Sequence, residues 1–231
     1  MLVGLIIIVI VCSYLLGSIP TGLLIVKLST GKDIRQIESG RTGGTNAMRA
    51  AGTWAGLGTG ILDILKGAAS VWLARGLVPG VVWLEVLAPV LAIIGHNYSI
   101  FMVERGEDGR IRLRGGAGGA PATGGAFALW PPSILLIIPI GALIFYFVGY
   151  ASVTTMSAAL IATLVFAYRA WVGASPWEYV FYGIAAELVL IWALRPNIRR
   201  LLNGTERLVG FRAKRRKSKS DYSSSSSSTS S

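Results

Sequence analysis

The sequence predicts an all-α integral membrane protein with seven transmembrane helices, one of them short, the N-terminus outside and the C-terminus cytoplasmic. Three observations predict it. Of 231 residues 53% are apolar and only 14% charged, whereas a soluble chain carries about 25% charge. The apolar residues arrive in long runs, and a helix crossing about 30 Å of hydrocarbon needs roughly 20 of them. Finally, all but three of the 22 Lys/Arg fall in segments that seven crossings place on one side, as the positive-inside rule requires.

The runs follow in order. Residues 2–28 form the clearest span, with no charge before Lys27. They lack the basic leader and small-residue cleavage pattern of a signal peptide. Runs 54–75 and 80–103 come next. A shorter apolar piece, 120–130, ends at Pro131-Pro132, where two consecutive prolines remove two backbone donors. Runs 132–148, 151–170 and 177–194 complete the set. Were 120–148 one helix, loops 29–53 (Lys32, Arg35, Arg41, Arg49) and 104–119 (Arg105, Arg110, Arg112, Arg114) would lie opposite the basic stretch from Arg195 onward. Counting the short piece puts all three on the cytoplasmic face, leaving only Lys66, Arg75 and Arg169 elsewhere. Residues 1–206 thus read as one membrane domain. Residues 207–231, basic and then serine-rich, lack the apolar content to order and read as a disordered cytoplasmic tail, with attraction to anionic headgroups of about 1 kcal/mol per basic residue.

Composition also excludes chemistries. The single cysteine, Cys12, rules out a disulfide scaffold and a Cys-ligated zinc site, and His96 is the only histidine. No metal, cofactor or nucleic-acid partner is expected.

Three segments are too polar or glycine-rich for plain connectors. In Ser39-Gly40-Arg41-Thr42-Gly43-Gly44-Thr45-Asn46, glycines let N–H groups converge and hydroxyls and an amide add donors; Arg49 follows one turn into a helix. That pattern suits an anion at a helix start, clamped by the arginine; a flexible loop is the alternative. Gly115-Gly116-Ala117-Gly118-Gly119, continuing to Thr123, is preceded by Arg110, Arg112 and Arg114. It suits close approach of amides to phosphate or a mere spacer, and it lacks the Gly-Lys-Ser/Thr ending of a P-loop. Asn197, Arg199, Arg200 and Glu206 follow the last span, where arginines chiefly set orientation. Within the membrane Asp63 and Lys66 share a helix face at i and i+3, as an ion pair or a functional one. His96 reads as a packed residue.

Taken in order, these pieces resemble a family. Gly17-Ser18-Ile19-Pro20, Ser39-Gly40…Asn46…Arg49, Leu62-Asp63…Lys66-Gly67, Gly95-His96-Asn97, the Gly-rich loop ending Ala122-Thr123, Gly149-Tyr150-Ala151-Ser152 and Asn197…Arg200-Leu201…Gly204-Thr205-Glu206 are similar to motifs of the bacterial acyl-phosphate:glycerol-3-phosphate acyltransferases (PlsY type). The likeness runs from about residue 14 to 206. It implies a seven-helix enzyme of the plasma membrane with a cytoplasm-facing site. Its reaction moves a fatty acyl group from acyl-phosphate to the 1-hydroxyl of glycerol 3-phosphate, giving lysophosphatidic acid and phosphate. It also implies roles: Ser39, Arg49, Asn197 and Glu206 in catalysis; Gly40, Arg41, Gly43, Thr45, Asn46, His96, Arg112, Arg114, Gly115, Gly116, Gly118, Gly119, Thr123 and Arg200 in substrate binding. Membrane lipids and the enzyme supplying acyl-phosphate are the further partners. The His-x4-Asp dyad of other glycerolipid acyltransferases is absent, since Phe101 stands where the Asp would be; an activated acyl-phosphate makes a strong protein base dispensable.

The chain departs from the family pattern three times. Ala117 (or Gly119, depending on the gap) stands where the second motif has lysine, Leu194 where the third has histidine, and Arg41 where the first has asparagine. The charge gained at Arg41 is expected to act with Arg112 or Arg114 in place of the lysine. A catalytically silent relative and a transporter of a phosphorylated solute are the competing readings.

Overall fold

A computed structural model describes residues 1–106, 108–213 and 215. The first apolar run is not one helix: it forms α1 (Leu2–Ser18) and α2 (Thr21–Thr30), because Pro20 has no N–H and bars the preceding residue from helical backbone. After a 3-10 turn at Ile34–Gln36 come the short α3 (Gly44–Ala51), α4 (Thr53–Leu77) and α5 (Val82–Asn97). The rest comprises α6 (Gly119–Leu129), α7 (Ile134–Leu143) with a π-helical turn at Ile144–Val148, α8 (Ala151–Trp171) and α9 (Glu178–Leu202).

Two further stretches differ from the sequence reading. The run expected to span 80–103 leaves helix at Asn97, where Ser99 N–H donates to the Arg114 carbonyl instead of to its own helix. Val103–Arg105 (β1) and Ile111–Leu113 (β2) then pair antiparallel, turned by Gly109 at φ 71, so the chain is not purely helical. Asp108 and Gly109 lie in this hairpin's turn. The tail also begins later than residue 207. Tyr150 and Leu208 form a β-bridge, Val209 N–H donates to the Gly149 carbonyl and the Val209 side chain is buried. Lys214 and 216–231, most of the expected tail, lie outside the described residues.

Among the described residues five stretches are long and apolar enough to cross a membrane: Leu2–Thr30, Thr53–Leu77, Pro131–Val148, Ala151–Trp171 and Glu178–Leu202, with Val82–Asn97 a shorter apolar helix. Their outward faces carry exposed Leu135, Leu164 and Leu188. Lipid is as apolar as these side chains, so cohesion rests on close packing. The α4–α6 contact shows it: a Cβ on Gly67 would strike the Pro121 carbonyl, and one on Gly124 the Ile64 carbonyl. Phe166, Tyr182, Leu190 and Ile93 fill the interior.

The three misfit cations each find partners. Lys66 pairs with Asp63 at 2.9 Å. Arg75 binds Glu85 (2.8 Å), the Ala128 carbonyl (2.7 Å) and the Tyr179 hydroxyl (3.0 Å), tying α4, α5, α6 and α9 at the end opposite the site. Arg169 stacks on Trp130 at 4.1 Å.

Candidate active site

The helices deliver their ends to one place. A cavity of about 400 Å³ is lined by Gly43, Gly44, Thr45 and Asn46, by Gly118, Gly119 and Ala120, and by Ala151 and Ser152. These residues open α3, α6 and α8, so three helix N-termini, with their unsatisfied N–H groups and positive dipole ends, converge on one hollow. Asn46 anchors the first of them, its Nδ2 donating to the carbonyls of Ile34, Ile37 and Arg41.

Arginines add to this field. Arg41, Arg49, Arg200 and Arg207 line the cavity, with Glu38, Asp63 and Glu206. Glu206 binds Arg200 (3.1 Å), Glu38 binds Arg207 (2.5 Å), and Asp63 binds Lys66. Arg41 and Arg49 keep no carboxylate partner among the described residues. Arg41 instead donates to neutral acceptors, the carbonyls of Gly116 (3.1 Å) and Ala193 (2.8 Å) and Asn197 Oδ1 (3.1 Å). Burial, and then Arg200 nearby, hold its pKa below the ordinary arginine value, yet arginine in proteins stays charged. Glu206, 5% exposed, uses its second oxygen to accept from Asn197 Nδ2 at 2.7 Å, which turns Asn197 Oδ1 toward Arg41. A hollow with converging N–H groups and two unpaired guanidinium groups favours an anion, and more than one.

Of the residues singled out in sequence, Ser39, Arg41, Gly43, Thr45, Asn46, Arg49, His96, Gly118, Gly119, Asn197, Arg200 and Glu206 line this cavity. Gly40, Arg114, Gly115 and Gly116 line a second hollow of about 190 Å³, which shares Ser39 and Arg41 with the first. The loop lies tight on α5: a Cβ on Gly116 would collide with the His96 imidazole. Two residues do not reach either hollow. Arg112 is 61% exposed, held toward the hairpin's turn by Asp108 at 3.0 Å. Thr123 is buried inside α6, its hydroxyl donating to the Gly119 carbonyl. The expected helper of Arg41 is corrected accordingly: Arg112 is remote, and Arg114, on the second hollow, is taken up by Glu104 at 2.6 Å. Arg41 alone of the three reaches the cavity.

Lining residues that the sequence reading of the site left out include Glu38, Gly60, Asp63, Ser152, Thr155 and Arg207. Ser152 opens α8 and belongs to the family-like stretch Gly149-Tyr150-Ala151-Ser152. In the sequence Asp63 reads as the partner of Lys66 and as part of the family-like stretch Leu62-Asp63…Lys66-Gly67. Nothing local in the sequence marks Glu38 or Arg207.

The family profile described as glycerol-3-phosphate acyltransferase matches residues 7–204. The chain belongs to that family. It is 36% identical over 207 residues to a glycerol-3-phosphate acyltransferase of Rubrobacter xylanophilus, covering 90% of this chain and 96% of that one. To a glycerol-3-phosphate acyltransferase of Thermus thermophilus it is 35% identical over 206 residues, covering 88% and 95%. Its fold is similar to crystal structures of PlsY (YgiH), an integral membrane glycerol 3-phosphate acyltransferase. The glycerol 3-phosphate form gives a TM-score of 0.75 at 32% identity, covering 89% of this chain and 96% of that chain. The lysophosphatidic acid form gives 0.73 at 30%, with the same coverage. Ala117 and Leu194 both line the cavity.

Proposed function

We propose that this chain is a multi-pass membrane acyltransferase that moves a fatty acyl group from acyl-phosphate to the 1-hydroxyl of glycerol 3-phosphate. The hydroxyl oxygen forms the new ester bond to the acyl carbon, the bond from that carbon to the phosphate oxygen breaks, and the hydroxyl proton leaves with inorganic phosphate. Lysophosphatidic acid is the other product. The observation that carries the reading is the meeting of three helix N-termini with Arg41 and Arg49. Both substrates are phosphates, and both need anion sites side by side. Charge shed onto the departing phosphate strengthens its interaction with fixed dipoles and guanidinium groups, which lowers the barrier without a protein base.

Ser39, Arg49, Asn197 and Glu206 form the catalytic set in this reading, with Glu206 acting by holding Asn197 and Arg200. Gly43, Thr45, Asn46, Gly118 and Gly119 bind phosphate through the helix starts. Arg41 supplies the cation that Ala117 lacks. Seven crossings of the plasma membrane, N-terminus outside, put the site at the cytoplasmic face, within reach of the enzyme that makes acyl-phosphate. The alternation supports this: α5 and α9 bring their C-terminal turns, and α6 and α8 their N-termini, to the one cavity.

Purified protein in detergent, given palmitoyl-phosphate and glycerol 3-phosphate, is expected to release phosphate and form lysophosphatidic acid. Retained binding of the acyl-phosphate without release would identify a silent relative instead.

A further inference from the structure

Asp63 sits on the cavity wall one turn after Gly60 on α4, with a side chain 1% exposed. Its Oδ1 is fully engaged. It accepts from the Thr21 hydroxyl at 2.5 Å, meets Lys66 Nζ at 2.9 Å and lies 3.6 Å from His96 Nδ1. Lys66 also donates to the Ile19 carbonyl at 3.0 Å, at the break before Pro20. The other oxygen, Oδ2, is buried and has no hydrogen-bond partner among the described residues.

A buried carboxylate oxygen without a donor is costly, and an ionised carboxylate can only accept. Asp63 lines the cavity, so an occupant that meets Oδ2 must carry a hydrogen. Ionised phosphate oxygens carry none, and an acyl chain offers none to donate; an alcohol does. The two ends of the acceptor are thereby separated, its phosphate going to the helix starts and guanidinium groups and its hydroxyl end to Asp63. Lys66 already balances the carboxylate's charge, so the group is suited to holding a hydroxyl. The primary hydroxyl must point at the acyl carbon, which leaves the secondary one for the wall.

We infer that Asp63 is a specificity-determining residue whose Oδ2 accepts a hydrogen bond from the C2 hydroxyl of glycerol 3-phosphate. It selects that acceptor over three-carbon phosphates carrying hydrogen or a ketone at C2. The inference rests on the acceptor proposed above.

The test compares kcat/KM for glycerol 3-phosphate and for 3-hydroxypropyl phosphate, which lacks the C2 hydroxyl, in the full-length protein and in Asp63→Asn and Asp63→Glu. The unsubstituted protein should prefer glycerol 3-phosphate by about 10- to 100-fold, the size of one charge-assisted hydrogen bond. Both variants should shrink that ratio to a few-fold. A purely structural loss would lower both substrates equally and leave the ratio intact. Equal use of the two phosphates by the unsubstituted protein overturns the inference even if neither variant folds, as does an unchanged ratio in a folded variant. If no acyl transfer occurs at all, the reaction proposed above fails, and the ratio of dissociation constants for the two phosphates then decides the contact by itself.

Discussion

Arg41 shows how one side chain joins separate parts of the site. Its guanidinium spans from the Gly116 carbonyl of the glycine-rich loop to the Ala193 carbonyl and Asn197 of α9, while its own backbone belongs to the loop before α3. Removing it withdraws one of two unpaired cations and at once leaves Asn197 Oδ1 without its donor. Arg41→Asn is therefore expected to lower kcat/KM for acyl transfer by about 10- to 100-fold, the scale of a charged hydrogen bond, while the protein still elutes as a folded species. Full activity in that variant would remove Arg41 from the mechanism. Glu206 acts through others, since its two oxygens are occupied by Asn197 and Arg200. Glu206→Gln keeps the shape and loses the charge, so its loss of activity should be smaller than that of Glu206→Ala in the same assay.

At the scale of elements, the site depends on how near α6 comes to α4. The N-terminus of α6 points into the cavity only because the helix body lies flush on α4, through Gly67 and Gly124, whose missing side chains leave room for backbone carbonyls. Gly124→Val would force the helices apart. Overpacking costs about 1–3 kcal/mol, and more where the obstacle is backbone, so thermal unfolding in detergent should shift down by several degrees with activity lost in parallel. An unshifted transition would mean the two helices can slide. The break at Pro20 serves the site in a second way, since the Ile19 carbonyl beside it receives Lys66. The hairpin β1–β2, by contrast, carries Arg112 away from the cavity.

For the whole molecule, the arrangement of helix ends makes an orientation testable. With Cys12, which lies within α1, replaced by alanine, single cysteines can be placed at Ser29 and at Ala174, both exposed and at opposite ends of the bundle. In intact cells an impermeant maleimide should label Ala174→Cys and spare Ser29→Cys until the membrane is opened. The reverse pattern would place the site outside and overturn the proposed topology. Salt should also weaken the interaction with phosphate substrates at the mouth of the cavity, where Arg49 is exposed, and less so at half-buried Arg41, because solvent ions screen exposed charges best.

Run length and the placement of basic residues were enough to read the apolar helices, the break at Pro131-Pro132 and the loops that carry the phosphate-seeking motifs. They suffice because a bilayer imposes length and charge rules that act on each segment alone. Ser39 and Arg49 were legible as candidates from their glycine- and hydroxyl-rich neighbours at a helix start, whereas Asn197 was singled out only by likeness to the family's third motif; all three line the cavity. The end of α5 at Asn97 was not legible, because apolarity continues to Val103 and only the long-range bond of Ser99 to Arg114 stops the helix. Nor was the α8 start as a third dipole, the remoteness of Arg112, or the free oxygen of Asp63. Each of these depends on what a residue meets across the bundle, and only the packing of the helices decides which polar groups are satisfied and which are left to wait for a substrate.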